Sequence, residues 1–139
     1  MASPYGVNRY GDWSSVEDYR WRKSVRGVSK GQNGTIVVDD AMKAEGGHRK
    51  EQYLKSGVPV YQDDDTTYKL WTATAKGAGK KIAGFVDTVC ELKDPSGKWY
   101  ESVDAGIMTY GGVYEVWLPV EVAAEDVPAR FEFVRKNVS

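Results

Sequence analysis

The chain holds few side chains able to do covalent chemistry, and they are scattered. His48 is the single histidine and stands between Gly47 and Arg49 in a polar stretch. A Ser–His–Asp or Cys–His catalytic set would have to include it, and its neighbours point to a solvated side chain instead. Cys90 is the single cysteine, so it has no intramolecular disulfide partner. It lies within Val86-Asp87-Thr88-Val89-Cys90-Glu91-Leu92, where a buried strand thiol is expected. One Cys and one His make a zinc site only with two carboxylates added. Asp63-Asp64-Asp65 groups three acids, but consecutive side chains diverge and the D-x-D-x-D-G spacing of a calcium loop is missing. It reads as a surface turn. Gly77-Ala78-Gly79-Lys80 has the tail of a phosphate-loop pattern, yet that pattern needs Gly at 74 and Ser or Thr at 81, where Thr74 and Lys81 stand. Acids are plentiful, and no two stand apart as a glycosidase pair. The expectation is a protein that is not an enzyme, with no catalytic residues, no metal and no cofactor.

The aromatic residues offer recognition rather than catalysis. Five Trp and nine Tyr are many for 139 residues, and aromatics on the strands of a small barrel can stack nucleobases. However, residues 57–139, which carry Trp71, Trp99 and Trp117, hold nine basic against thirteen acidic side chains. That surplus of negative charge repels a phosphate backbone, so no direct nucleic-acid partner is expected and core or interface packing is the plainer use. Residues 1–30 hold six Lys/Arg (Arg9, Arg20, Arg22, Lys23, Arg26, Lys30) against three acids. A basic arm on an acidic body meets something other than its own body, or is a solvated terminus. The N-terminus has no apolar core of a secretory signal, and no run approaches the ~18 apolar residues of a membrane helix; no membrane partner is expected.

Turning to the elements, Ser14-Ser15-Val16-Glu17 has the form of a capping box, which predicts a short helix over 15–25. Gly27 to Gly34 reads as a linker. Thr35-Ile36-Val37-Val38 is a compact β-branched strand at 35–38 with no adjoining hairpin partner. It pairs either with another chain's sheet edge or with the body's own edge. Residues 39–55 read as a loop with a turn of helix. From 57 onward short apolar or alternating runs are broken by Gly, Asp, Pro and Lys. Val58-Pro59-Val60-Tyr61 is a strand at a sheet edge or start, because Pro59 lacks an N–H. Tyr68 to Trp71 alternates, and Lys76 to Lys81 is a loop. Ile82 to Leu92 is a long strand in which Gly84 marks a bulge or a close backbone approach. Asp94-Pro95-Ser96-Gly97 is a turn. Gly111-Gly112 reads as a two-residue hairpin loop joining Ala105–Tyr110 to Val113–Leu118, and Arg130 to Arg135 closes the sheet. The fold class expected is all-β, a small barrel or sandwich with little helix, its body over residues 53–139 and an extended arm over 1–52.

Several of these strings carry a family resemblance. Tyr53-Leu54-Lys55-Ser56-Gly57-Val58-Pro59-Val60 resembles the opening of phage head-decoration (capsid cement) proteins. Ala83-Gly84-Phe85-Val86 resembles their A-x-G-F-L strand. Ala105 to Val113 followed by Leu118-Pro119 resembles their hairpin, and Phe131-Glu132-Phe133-Val134 their terminal strand. The ordered set covers about residues 53–134. It is most similar to the versions in tailed phages of actinobacteria and more distantly to the lambda head-decoration protein. The motif residues are Gly57, Pro59, Gly84, Phe85, Gly112, Leu118 and Pro119.

The resemblance implies a β-tulip barrel that is not an enzyme. It implies a homotrimer at three-fold and quasi-three-fold positions outside the mature head, with the major capsid protein as partner. The protein would be made in the host cytoplasm and reside in the virion. The family's arm lies along the capsid protein. On that basis Arg20, Trp21, Arg22, Lys23, Arg26 and the strand Thr35, Ile36, Val37, Val38 are the expected capsid contacts, with residues 30–40 adding as a strand. The alternative is a small barrel that binds single-stranded nucleic acid or another ligand; a small hydrolase is the third reading.

Overall fold

A computed structural model describes residues 18–22 and 31–135. Among the described residues ten strands form three sheets, with two short helices between them. The main sheet is a closed barrel of five strands. These are β1 (Gly31–Val37), β4 (Pro59–Gln62), β5 (Thr67–Leu70), β6 (Gly84–Val86) and β8 (Ser102–Met108), in the order β1-β5-β4-β6-β8. The all-β barrel with little helix is thus the fold of the body.

The barrel closes through β1. This strand pairs antiparallel with β8 along its whole length, from Gly31 opposite Met108 to Val37 opposite Ser102. On its other side it runs parallel to β5, with Thr35 opposite Thr67 and Ile36 opposite Tyr68. The strand read at 35–38 is therefore longer, begins at Gly31, and is built into the wall. Of its two possible partners, the body is the one it has. From Gly31 on, the segment expected to be arm is barrel and barrel cover. Val37 is half-buried and Ile36 fully buried.

Alternation within the wall creates two cores. Ile36, Val60, Tyr68, Leu70, Val86, Ala105 and Ile107 point inward, joined by Met42, Leu54 and Leu92. Gly84 sits where a Cβ would lie 2.7 Å from the Met108 carbonyl oxygen and 2.6 Å from Ile107 Cγ2. Its sequence signal, a close backbone approach, is what this tight seam requires. On the outer side of the same wall, Phe85 and Met108 meet Trp21, Trp71, Ile82, Val113, Val122 and Phe131 in a second core. Phe131 stands edge-on to Phe85, with centroids 5.2 Å apart.

Shorter elements cover these cores. Asp39 caps α1 (Asp40–Lys43), its carboxylate accepting from the Met42 amide. The small sheet of β2 (Arg49–Lys50), β3 (Tyr53–Leu54) and β7 (Cys90–Glu91) follows. The long strand expected over Ile82–Leu92 is therefore split between two sheets. Thr72 caps α2 (Ala73–Gly77), so the start of the expected loop at 76–81 is the end of a helical turn that buries Ala75. The acidic turn is as read: the Asp64 carboxylate accepts from the amides of Thr66 and Thr67. In the Asp94–Gly97 turn the Asp94 carboxylate accepts from the amides of Ser96 and Lys98.

The Gly-Gly hairpin is not formed. β9 (Gly111–Tyr114) includes both glycines and pairs parallel with β10 (Phe131–Val134), Gly112 opposite Glu132. A parallel pair needs a crossover rather than a tight loop, and residues 115–130 supply it. Glu115–Trp117 is a 3-10 turn instead of the second arm of a hairpin. That is why Val113, in the strand, is buried while Trp117, in the turn, is exposed. β10 closes no barrel; it lies in the separate two-stranded sheet.

Candidate interaction site

A set of specific contacts surrounds residues 18–22, a strap laid across the second core. Its centre is Trp21, 0% exposed. The indole Nε1–H donates to Ser56 Oγ at 2.8 Å, and Ser56 Oγ–H donates to the Asp87 carbonyl at 2.8 Å. The ring packs 5.8 Å from Phe85. Gly57 makes room for it: φ is +90°, and a Cβ there would lie 2.8 Å from Trp21 Cδ1. Backbone contacts fix the register. Arg22 forms an antiparallel bridge to Val113, and the Tyr114 amide donates to the Trp21 carbonyl at 2.7 Å. The strap therefore extends the β9–β10 sheet on the side of β9 away from β10.

Charge closes the strap on both flanks. The Arg22 guanidinium pairs with the Asp87 carboxylate, side chains 10% and 15% exposed. Its buried Nε–H meets no acceptor among the described residues. Breaking one half of such a pair leaves a desolvated charge behind. Arg20 is the exposed flank. Its guanidinium donates to both carboxylate oxygens of Asp18, which holds the Asp18 carboxyl below its ordinary range. It also lies 3.8 Å from the centroid of Trp117.

Beside the strap lies a cavity of ≈ 260 Å³ lined by Asp18, Lys55, Ser56, Val116, Trp117 and Pro119, among others. Val116 is 55% and Trp117 41% exposed, large apolar surface on an otherwise covered region. Tyr110, before β9, is also exposed.

The expected site residues separate accordingly. Trp21 and Arg22 are not free to contact another protein; one is core and the other a buried ion pair. Thr35, Ile36, Val37 and Val38 are barrel or barrel edge, with Val38 buried and its amide donating to the Glu101 carbonyl. Arg20 remains exposed. Lys23 and Arg26 lie outside the described residues. The helix expected over 15–25 is not seen in its described part, where residues 20–21 form a turn and Arg22 a bridge. The motif residues come together: Gly57 walls the Trp21 slot, and Pro59 opens β4 opposite Phe85 of β6. Gly84 seats that wall and Leu118 packs on the second core. Gly112 lies in β9. The Pro119 carbonyl crowds Gly47, 2.8 Å from where a Cβ would stand.

Two reactive side chains also differ from or refine their sequence reading. His48 is buried, not solvated: its Nε2–H donates to the Met42 carbonyl at 2.9 Å, and burial lowers its pKa below 6.5. Cys90 is half-buried, and burial pushes its thiol up to about 11. The thiolate that nucleophilic chemistry needs is scarce at neutral pH. A polar trough of ≈ 500 Å³ runs along the β1–β8 ladder, lined by Asn33, Thr35, Thr66, Thr88 and Asp104, with the Thr35 hydroxyl donating to Asp104 at 3.0 Å. Sequence reasoning missed the Ser56–Trp21 pair and Asp87. Nothing local in the sequence links Ser56-Gly57 to a Trp 35 residues earlier. No family model matches the chain, and no curated protein or solved structure matches it.

Proposed function

We propose that the protein is a decoration protein of a phage head, binding the outside of the mature capsid and holding neighbouring subunits together against the pressure of packed DNA. The observation that carries this reading is the convergence of the family-like strings. Widely spaced in sequence, they gather around the second core: Gly57–Val60 opens β4, Gly84–Val86 is β6, and Ala105–Val113 runs from β8 of the barrel into β9, which pairs with β10 (Phe131–Val134) in the separate two-stranded sheet. Leu118 packs on the same core. A cement protein needs no bond chemistry, only a stiff body and adhesive surface, and a five-stranded closed barrel has that stiffness.

The capsid contact moves with the fold. Residues 30–40 are no longer the adhesive strand, since β8 takes one edge of Gly31–Val37 and β5 pairs with the other at Thr35 and Ile36. The exposed apolar rim of Val116 and Trp117, with Arg20 over the Trp117 ring, is the better docking surface; aromatic and Arg side chains dominate protein interfaces. The partner is the major capsid protein, the assembly a homotrimer, and the location the virion surface. Trimerisation multiplies a modest contact by avidity.

The test is co-sedimentation with expanded heads of the phage that encodes the chain, assembled without it. Saturable binding at a fixed ratio to the capsid subunit is expected. Trp117→Ala should weaken it about tenfold or more without loss of fold. Absence of binding by the folded wild-type chain would defeat the proposal, and salt-dependent binding to an oligonucleotide would then favour the nucleic-acid reading.

A further inference from the structure

We propose that the polar trough along the β1–β8 ladder is a binding site for a neutral, polyhydroxylated ligand, a saccharide. The inference stands apart from the decoration role, and its test uses no capsids.

The trough lies where the outer face of the barrel wall runs out of cover. Along β8 the side chains alternate. Ala105 and Ile107 are buried inside the barrel, while Asp104, Gly106 and Met108 belong to the other face. Met108 is covered by the second core. Beyond it, Gly106 and Asp104 line an open cavity of ≈ 500 Å³ with Asn33 and Thr35, their direct partners on β1, and with Thr66 and Thr88. Small-molecule sites have volumes of about 300–1,000 Å³, and the trough falls within them.

Gly106 is an independent pointer to a ligand. Glycine inside a strand packs nothing and costs conformational entropy, so it marks a bulge, a tight bend or a close approach. Gly34 and Gly84 answer to the fold itself: a Cβ at 34 would run into the Tyr68 ring, and one at 84 into the Met108 carbonyl. Among the described residues nothing of the kind holds Gly106. Its φ is not positive, it lies in regular register with Asn33, and a Cβ would stand 3.6 Å from Asp87 Cβ, an ordinary contact. What a side chain at 106 would take up is the floor of the trough. The backbone there is left open to a group from outside the chain.

The lining specifies the chemistry of that group. The Asn33 amide donates and accepts, as do the hydroxyls of Thr66 and Thr88. The Thr35 hydroxyl donates to Asp104 at 3.0 Å and is left able to accept. Asp104 is the one charged residue in the described lining. An anion would meet its carboxylate with no cation to offset it. A metal ion would lack ligands, since no cluster of acidic or His side chains gathers among the described residues. An apolar ligand would bury the amide and hydroxyls without partners. A sugar fits, because each of its hydroxyls both donates and accepts, and one of them can give the Asp104 carboxylate a charge-assisted bond.

The test presents the full-length chain to an array of neutral oligosaccharides of hexoses, pentoses and N-acetylhexosamines, with sulfated and sialylated ones beside them. Hits are titrated in solution by the amide chemical shifts of isotope-labelled protein. Saturable binding of a neutral sugar is expected, with a dissociation constant of about 1 mM or tighter, shifting the amides of Gly34, Thr35 and Gly106. Gly106→Val fills the floor and should weaken binding about tenfold or more while melting no lower than wild type, since a β-branched side chain suits a strand. Asp104→Ala, at an exposed position, should weaken binding about tenfold, the loss of one charge-assisted hydrogen bond. The proposal is overturned if the folded wild-type chain binds no neutral sugar, if the sulfated or sialylated sugars bind better, or if folded Gly106→Val binds as wild type does. Should Gly106→Val unfold, the double variant Asn33→Ala, Asp104→Ala decides: undiminished binding overturns the proposal, and its loss upholds it.

Discussion

Trp21 illustrates how far a residue's type can mislead about its role. Flanked by Arg20 and Arg22 in a basic segment, it reads as an adhesive side chain; in the fold it is the largest fully buried one among the described residues. Trp21→Ala should cost about 3–5 kcal/mol of stability, as removal of a buried large aromatic does, read from the urea midpoint at constant slope. Ser56→Ala should cost less, about 1–3 kcal/mol, by leaving the indole N–H unpaired. An unchanged midpoint in both would show that the strap does not dock. His48 adds a pH effect. Burial holds its folded pKa below 6.5, so as pH falls through the unfolded value the unfolded chain takes up the proton first. Stability contributed by neutral His48 is therefore complete above about pH 6.5 and lost progressively below it. The urea midpoint should drop between pH 7.5 and 5.5, and His48→Gln should flatten that part of the profile; an equal drop in the variant would exclude His48 as the cause.

Among elements, β1 changed meaning most. A β-branched run after a glycine-rich stretch looks the same whether it awaits a partner or closes a barrel, because strand propensity records fit to a pleated, half-buried surface and not whose surface it is. Its pairings with β8 and β5 decide the matter. Ile36→Pro removes an N–H from the middle of this closed wall and should abolish cooperative unfolding of the whole body, monitored by thermal melting in the far-ultraviolet. A variant with wild-type melting would mean that β1 is dispensable to the barrel. The same reasoning applies to β9. Gly111-Gly112 is a strong hairpin signal locally, yet β9 is sandwiched between the strap and β10, and both of its partners, Arg22 and Phe131–Val134, are far from it in sequence. Only long-range pairing distinguishes the two outcomes.

For the whole molecule, the proposed decoration role predicts which truncation is informative. Removal of residues 1–39 deletes β1 and should destroy the body. Removal of 1–17 leaves strap and barrel intact, so any loss of capsid co-sedimentation then belongs to those residues alone. Trp117→Ala tests the other surface. With Trp117 41% exposed, its stability should change by no more than about 0.5 kcal/mol while capsid binding falls. Equal binding by Trp117→Ala and wild type would move the contact away from this rim.

What the sequence determined by itself was the local chemistry of the backbone. Short alternating runs, Pro59 at a strand start, the Asp64 and Asp94 turns and the close approach at Gly84 all follow from side-chain shape and φ preference within a few residues. The charge contrast between residues 1–30 and 57–139 is likewise written in composition. The tertiary structure alone decided which strand meets which, that the barrel takes its fifth strand from the expected arm, and that Trp21, Arg22 and His48 are interior. Those outcomes depend on which apolar faces remain uncovered once the barrel closes. Trp21 is buried because the outer side of β6 and β8, bearing Phe85 and Met108, has to be shielded from water, and the strap is among the segments that shield it.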